Sequence, residues 1–599
     1  MCENKLLDEA LVCYEEEKSK NPDYLAFDNA TIKAFARRIV GQIKEQMKLD
    51  NEQCELLLKA IFKIKSKLTE FSEKIKMAKT AKAKQEKSLE ASLWESANKL
   101  RGAVEPSEYK HVVLSLIFLK YASDKYEERK QEIIDEGHAE FVDNVAFYTM
   151  KSVFYLPPVA RWSYIMEQSK QSDIALKIDT ALFTIENNNP NLKGALPDNY
   201  YSRLALDTNK LASLLDEINK IELTKDKEQD VMGRVYEYFL SNFALQEGKG
   251  KGEFYTPKCI VNLIAELIEP YKGKIYDPCC GSGGMFVQSM KFVQAHNGNT
   301  RDIAVFGQEA TNTTLKLARM NLAIRGISAN LGKKAVSTFT DDQHSDEKFD
   351  YIMANPPFNQ KDWRGEKELL HDPRWDGYEV PPASNANYGW ILHIASHLSQ
   401  NGVAGFLLAN GALSGEGTEL AIRKQLIENK LVETIIILPR NLFYTTDISV
   451  TLWILNRNKK AHTVMQNGVA KHYRDREQEI LFMDLRQMGS PFEKKYIELT
   501  ETDRKKVADT YHAWQTQEWT KENNIPEYCY SAAILEVAGK GYSLVPSKYI
   551  EFVNRDENID YDTKMKQLQA ELTDLLREEE QSKSDLLAVL KDLGYEIKL

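Results

Sequence analysis

Apolar and polar positions along the chain follow two different rhythms. In residues 1–86, Leu56, Leu57, Leu58, Ile61, Phe62, Ile64, Leu68, Phe71 and Ile75 recur at helical spacing, which predicts a helix packed on another helix. The Lys- and Ala-rich stretch 76–87 reads as a linker or an exposed helix. Residues 88–245 keep the helical period. Ser88 is a cap candidate, and Val112, Val113, Leu116, Ile117, Leu119 and Tyr121 form a broad apolar face within 109–126. A further amphipathic helix is predicted over 231–240.

After the basic loop Gly248-Lys249-Gly250-Lys251-Gly252 the period changes. Short apolar runs at 274–277, 303–309, 349–354, 403–409, 432–438 and 449–455 alternate with helical patterns at 285–295, 311–324, 390–398 and 419–429. That alternation predicts a doubly wound α/β sheet. No helix-length pattern separates the last two runs, so they are candidates for antiparallel pairing. Residues 481–599 are charged. Met565, Leu568, Leu572, Leu575, Leu586, Val589, Leu590 and Leu593 within 561–593 suggest a long helix or helical hairpin, its seam serving either a partner or the chain's own domain. The division is therefore 1–86, a helical extension; 87–245, a helical domain; 246–480, the α/β core; and 481–599, a C-terminal region with a long helix.

Composition narrows the classes. The 599 residues are 43% hydrophobic and 28% charged, enough for several cores, and no apolar run approaches a bilayer span. The acidic, polar start lacks the basic and apolar stretches of a secretory signal. Seven scattered cysteines give neither a zinc pattern nor a disulfide framework, which fits a reducing cytoplasm and predicts no metal site. A net charge of −10 is unusual for a chain that grips DNA unaided, and favours a separate DNA-reading partner.

Candidate chemistry sits at three turns. Asp277-Pro278-Cys279-Cys280-Gly281-Ser282-Gly283-Gly284 follows a strand and opens a helix, where glycines allow close approach of backbone to a ligand. Its spacing differs from both the dinucleotide and the P-loop patterns, pointing to a nucleoside cofactor without phosphates. Glu309, at the end of the next strand, suits the two hydroxyls of a ribose. Asn355-Pro356-Pro357-Phe358 follows the strand at 349–354. The prolines leave carbonyls free, the Asn side chain adds an oxygen acceptor, and Phe358 offers a ring face, a combination that suits the exocyclic amine of a base.

These turns carry a family resemblance. Residues 277–284 and 355–358 resemble motifs I and IV of the amino-group DNA methyltransferases in the gamma order, and Gly252-Glu253-Phe254-Tyr255-Thr256-Pro257 resembles the motif that precedes the cofactor loop. The similarity extends over roughly 88–480 to the modification subunit of type I restriction-modification systems, notably at Leu100-Arg101-Gly102, Tyr109-Lys110, 339–363, 381–390 and 438–453. Residues 1–86 match nothing in that family.

The resemblance implies a Rossmann-like methyltransferase sheet, S-adenosylmethionine as cofactor, and N6 of a flipped adenine in DNA as acceptor. Asn355, Pro356, Pro357 and Phe358 would act on the base. Phe254, Tyr255, Thr256, Pro257, Asp277, Cys279, Gly281, Ser282, Gly283, Glu309 and Ser337 would hold the cofactor, and Phe443 is a second stacking candidate. The implied partners are DNA, a specificity subunit, a second copy of the modification subunit and the restriction subunit. One departure stands out: Ser337 occupies the place where the family usually has an acidic contact to the cofactor adenine. Its hydroxyl can still bond an amino group, and Asp341 or Asp342 are alternatives. Three rival readings are a protein-glutamine methyltransferase, which usually has Tyr after the prolines, a stand-alone adenine methyltransferase, and a non-catalytic cofactor-binding subunit.

Overall fold

The strand-like runs pair into one sheet that extends further than the alternation predicts. The computed structural model describes Trp94 and residues 106–151, 153–204, 206–220, 231–247, 256–296, 298–443, 449–466, 469–492 and 496–553, with scattered helical positions from 565 to 577. The expectations for residues 1–86, most of the C-terminal seam, and Phe254 and Tyr255 lie outside the described residues.

The central strands are β1 Gly273–Asp277, β2 Ile303–Gly307, β3 Ala329–Asn330, β4 Phe349–Ala354, β5 Leu398–Ala409, β6 Val432–Ile437, β7 Val450–Asn456, β8 Glu479–Asp484 and β9 Cys529–Ala533. They lie in the order β9-β8-β6-β7-β5-β4-β1-β2-β3. Pairing is parallel except that β7 runs antiparallel between β5 and β6, and β9 antiparallel to β8. The expected antiparallel strand is thus β7. The strands β8 and β9 lie in the stretch for which the sequence suggested charged helix.

Neighbouring residues on each strand point to opposite faces, which builds two hydrophobic layers. Ile275, Met353, Leu407, Ile436 and Ile454 pack on one side under α5 Lys258–Ile268, α6 Gly284–Ala295, α7 Asn312–Ile324 and α10 Glu501–Thr516. Tyr276, Ile352, Phe406, Ile435 and Trp453 pack on the other under α8 Asn387–His397 and α9 Thr418–Glu428. Both faces of the sheet are covered, so β6 is buried along its whole length and β7 along all but its last residue, with no alternation of buried and exposed positions.

The helical region before the core includes α1 Pro106–Asp135, α2 Ile174–Asn188, α3 Thr208–Asn219 and α4 Val231–Glu247. It meets the core through α4. Tyr236 Oη lies 3.3 Å from Leu317 O, and Glu237 pairs with Lys291 at 2.8 Å and Arg325 at 3.2 Å.

Topology then locates the site. From β1 the chain moves outward through β2 and β3, and returns to place β4 on the opposite side of β1. In an open α/β sheet, such a reversal opens a crevice at the carboxyl ends of the strands. The glycine turn follows β1 and the diproline turn follows β4, so the two candidate motifs face each other across it.

Candidate active site

The glycine turn is shaped by its own backbone. Gly281 and Gly283 have φ of +54° and +80°, a region unfavourable to side chains, and Gly283 caps α6. Asp277 closes the turn: its Oδ1 accepts from Cys279 N at 3.0 Å. Glu309 ties the turn to the next unit. One carboxylate oxygen accepts from Gly281 N at 3.1 Å and the other from Thr311 N at 2.9 Å. Glu309 lies two residues past the end of β2 and is not a solvated strand end. A carboxylate has about four lone-pair sites, so two remain for a diol.

Burial pushes the Asp277 carboxyl up to about 7, the Cys279 amide opposes the shift, and the charge of Glu309 adds to it. Burial raises Glu309 as well. Between the ordinary carboxylate range and pH 7, folded Asp277 holds a proton that the unfolded chain has lost. Its contribution to stability is therefore complete at acid pH and is lost as pH rises towards 7, at about 1.4 kcal/mol per pH unit. Asp277→Asn should flatten the stability-against-pH curve between pH 4 and 7, measured by denaturant melts. Parallel curves for the two proteins would refute the shift.

The diproline turn leaves one polar atom unmet. Asn355 Nδ2 donates to Thr256 Oγ1 at 3.0 Å, while Asn355 Oδ1 is buried and has no hydrogen-bond partner. A buried acceptor without a donor costs roughly 1–3 kcal/mol, so it fits a site that a ligand donor completes. Pro356 is buried, and the Phe358 ring meets Phe443 edge-on at 5.8 Å. Phe443 is itself only 3% exposed and backs Phe358.

Two cavities border this turn, with Asn355, Cys279 and Gly281 on the wall of both. The first is lined by Thr256, Lys258, Asp277, Ser282 and Glu237. The second, the roomier of the two, is lined by Pro278, Glu309, Thr311, Ser337, Thr338 and Pro357. Thr256, Asp277, Cys279, Gly281, Ser282, Glu309, Ser337, Asn355 and Pro357 thus line one or both cavities, whereas Gly283, Pro356 and Phe358 line neither. Pro257 stands just outside as the cap of α5, and so positions Thr256.

Asp341 and Asp342 do not substitute for Ser337. Asp341 pairs with Lys334 at 2.9 Å, and Asp342 faces His397 at 3.0 Å. Beneath the second cavity lies a buried network that the sequence did not show. Arg374 binds Asp372 through Nε at 2.8 Å and Nη2 at 2.6 Å. It also donates to Thr338 O at 2.9 Å and Phe339 O at 2.8 Å, which fixes the loop carrying Ser337. Asp342, His393 and His397 each bring one ligand-type atom within 4.8 Å of the others. Arg374 Nη1 lies 3.3 Å from His393 Nδ1 and already supplies the positive charge there. Burial, and then the neighbouring His397, hold His393 in its neutral form.

The family comparisons agree with this geometry. The N-6 DNA Methylase family model matches residues 227–558, more than half of the chain, and the HsdM N-terminal domain model matches 89–218. This chain belongs to the N-6 DNA methylase family. The type I restriction enzyme HindI methylase subunit of Haemophilus influenzae is 39% identical over 464 residues, covering 74% of this chain and 100% of its own length. The MjaIX methylase subunit of Methanocaldococcus jannaschii is 34% identical over 526 residues, covering 84% and 91%. A solved type I methyltransferase subunit from Streptococcus thermophilus shares the fold, with a TM-score of 0.64 at 23% identity over 78% of this chain and 99% of its own. Within the family the chain is a type I modification subunit, an adenine-specific DNA methyltransferase. The match through 558 takes in β8 and β9.

Proposed function

We propose that this modification subunit binds S-adenosylmethionine across the two neighbouring cavities and presents the N6 amine of a flipped DNA adenine to it through Asn355 and Pro356. The observation that carries this reading is the unpartnered Oδ1 of Asn355, a residue on the wall of both cavities. When bound, the cofactor supplies an electrophilic methyl group on a sulfonium sulfur.

The chain's residues account for the rest. Glu309, with lone pairs to spare, takes the ribose hydroxyls. The glycine turn, Asp277 and Thr256 line the cavity suited to the methionine portion. Phe254, Tyr255 and Pro257 belong to the same motif and would close that end. Asn355 Oδ1 and the Pro356 carbonyl accept the two hydrogens of the amine. That draws the nitrogen lone pair out of conjugation with the ring. Phe358 stacks on the base, partly offsetting the few kcal/mol of unstacking. Positioning supplies much of the acceleration, and no side chain serves as a covalent nucleophile. Burial lifts the thiols of Cys279 and Cys280 well above their ordinary range, in keeping with a packing role.

DNA, a specificity subunit, a second modification subunit and the restriction subunit are the proposed partners. Among the described residues no helix is long and apolar enough to cross a membrane.

Glu309→Ala should weaken binding of S-adenosylmethionine about 10- to 100-fold, the worth of hydrogen bonds to a charged group. Isothermal titration calorimetry reads it directly, and unchanged affinity would remove Glu309 from the cofactor site. The assignment as a whole is tested by labelled methyl transfer from S-adenosylmethionine, with DNA and protein acceptors compared in the presence of a co-purified specificity subunit. Label appearing in protein and not in DNA would overturn it.

A further inference from the structure

We propose that Gln360 and Trp390 read the base edge of the cofactor's adenine, replacing the acidic contact that Ser337 cannot make. The inference rests on S-adenosylmethionine being the methyl donor, and it concerns which residues select its nucleobase. Both side chains line the second cavity together with Glu309 and Ser337. Each holds a buried polar atom without a partner: the Gln360 Oε1 acceptor and the Trp390 Nε1 donor. Trp390 is only 4% exposed. The Ser337 hydroxyl oxygen is already engaged, accepting from Phe339 N at 3.3 Å.

The two residues are held on one rail. Gln360 O accepts from Ala386 N at 3.0 Å, and Ala386 O accepts from Trp390 N at 2.9 Å. The indole packs on Phe339 with ring centroids 4.3 Å apart. At the preceding position, a Cβ on Gly389 would stand 3.0 Å from Trp363 and 3.3 Å from Phe339, so nothing larger than glycine fits without displacing those rings. The indole donor is therefore fixed before any ligand arrives, and the Gln360 backbone is anchored beside it.

Leaving one buried donor and one buried acceptor unmet on one wall is costly, and a ligand offering the complementary pair removes both penalties. Adenine has that pair, an amino donor beside ring-nitrogen acceptors. Hypoxanthine replaces the amino donor with a carbonyl oxygen, which would face Gln360 Oε1. The target adenine is not the base read here, because its amine is taken by Asn355 and the Pro356 carbonyl, whereas Gln360 and Trp390 share their cavity with the ribose-binding Glu309.

The test is calorimetric binding of S-adenosylhomocysteine and S-inosylhomocysteine to the full chain and to its Gln360→Ala and Trp390→Phe variants. Wild type should prefer the adenosyl compound at least about 100-fold, and each variant should lose about tenfold of that preference, Trp390→Phe through weaker adenosyl binding and Gln360→Ala through weaker adenosyl and stronger inosyl binding. An unchanged ratio in both variants overturns the inference. If either variant fails to fold, the Trp390 indole N–H resonance of wild type decides: it should move on saturation with S-adenosylhomocysteine, and a stationary resonance counts against the contact. Failure of wild type to bind S-adenosylhomocysteine at all would instead remove the cofactor reading beneath it.

Discussion

Asn355→Ala should lower methyl transfer to DNA about 10²- to 10³-fold while leaving cofactor affinity within about twofold, the cost expected for removing one preorganised group that acts on developing charge. Asn355 Oδ1 has no protein partner to lose, so the change leaves no buried group newly stranded except Thr256 Oγ1. The deficit should therefore appear in transfer and not in folding. Single-turnover transfer from labelled S-adenosylmethionine, alongside calorimetric cofactor binding, separates the two. Transfer at the wild-type rate would take Asn355 out of the mechanism, and loss of cofactor affinity would make it a structural residue.

The second large effect is on stability. Arg374 is 9% exposed and holds Asp372, Thr338 O and Phe339 O together. Arg374→Ala would leave the Thr338 and Phe339 carbonyls without this donor and the Asp372 carboxylate with the residue-374 amide but no counter-charge. Breaking a buried pair from one side typically costs about 3–5 kcal/mol, and that loss is expected in urea melts. Because Thr338 also donates to Pro278 O, the damage should spread to the glycine turn and weaken cofactor binding. A loss below about 1 kcal/mol would show that the network is dispensable, since that is the range of exposed pairs.

The sequence showed β1, β2 and β4 to β7 because each is a short, largely apolar run bounded by turn residues, and all but β6 and β7 are separated from the next by a helical period. It hid β8 and β9 for opposite reasons. The apolar run of β8, Ile480 to Met483, is closed in by Glu479 and Asp484 and no helical period precedes it. The β9 residues Cys529–Ala533 include small side chains and no β-branched one, and this strand sits at the sheet edge, where pairing with β8 supplies the order.

Among the site residues, the glycine turn, Glu309 and Asn355 were legible because their chemistry is local: each follows its own strand. Arg374, Gln360 and Trp390 were not. Arg374 lies 36 residues from the Thr338 carbonyl it holds, inside a long stretch without regular period. That stretch is ordered by its own side chains bonding its own carbonyls, as Trp363 Nε1 does to Pro382 O at 3.0 Å and Trp375 Nε1 to Leu369 O at 2.8 Å. Pairings of this kind leave no periodic trace.

The orientation of the Asn355 carboxamide gives the diproline turn a sense of direction. A carboxamide has a donating and an accepting end of nearly the same shape, and rotation by half a turn exchanges them. With Nδ2 turned to Thr256, the oxygen is the end left unpartnered. On the proposed reading, a base presenting a carbonyl there, as thymine does, would bring oxygen against oxygen and be repelled, whereas a base presenting an amine is welcomed. The setting of one carboxamide would thereby help decide which letters of the double helix can be marked.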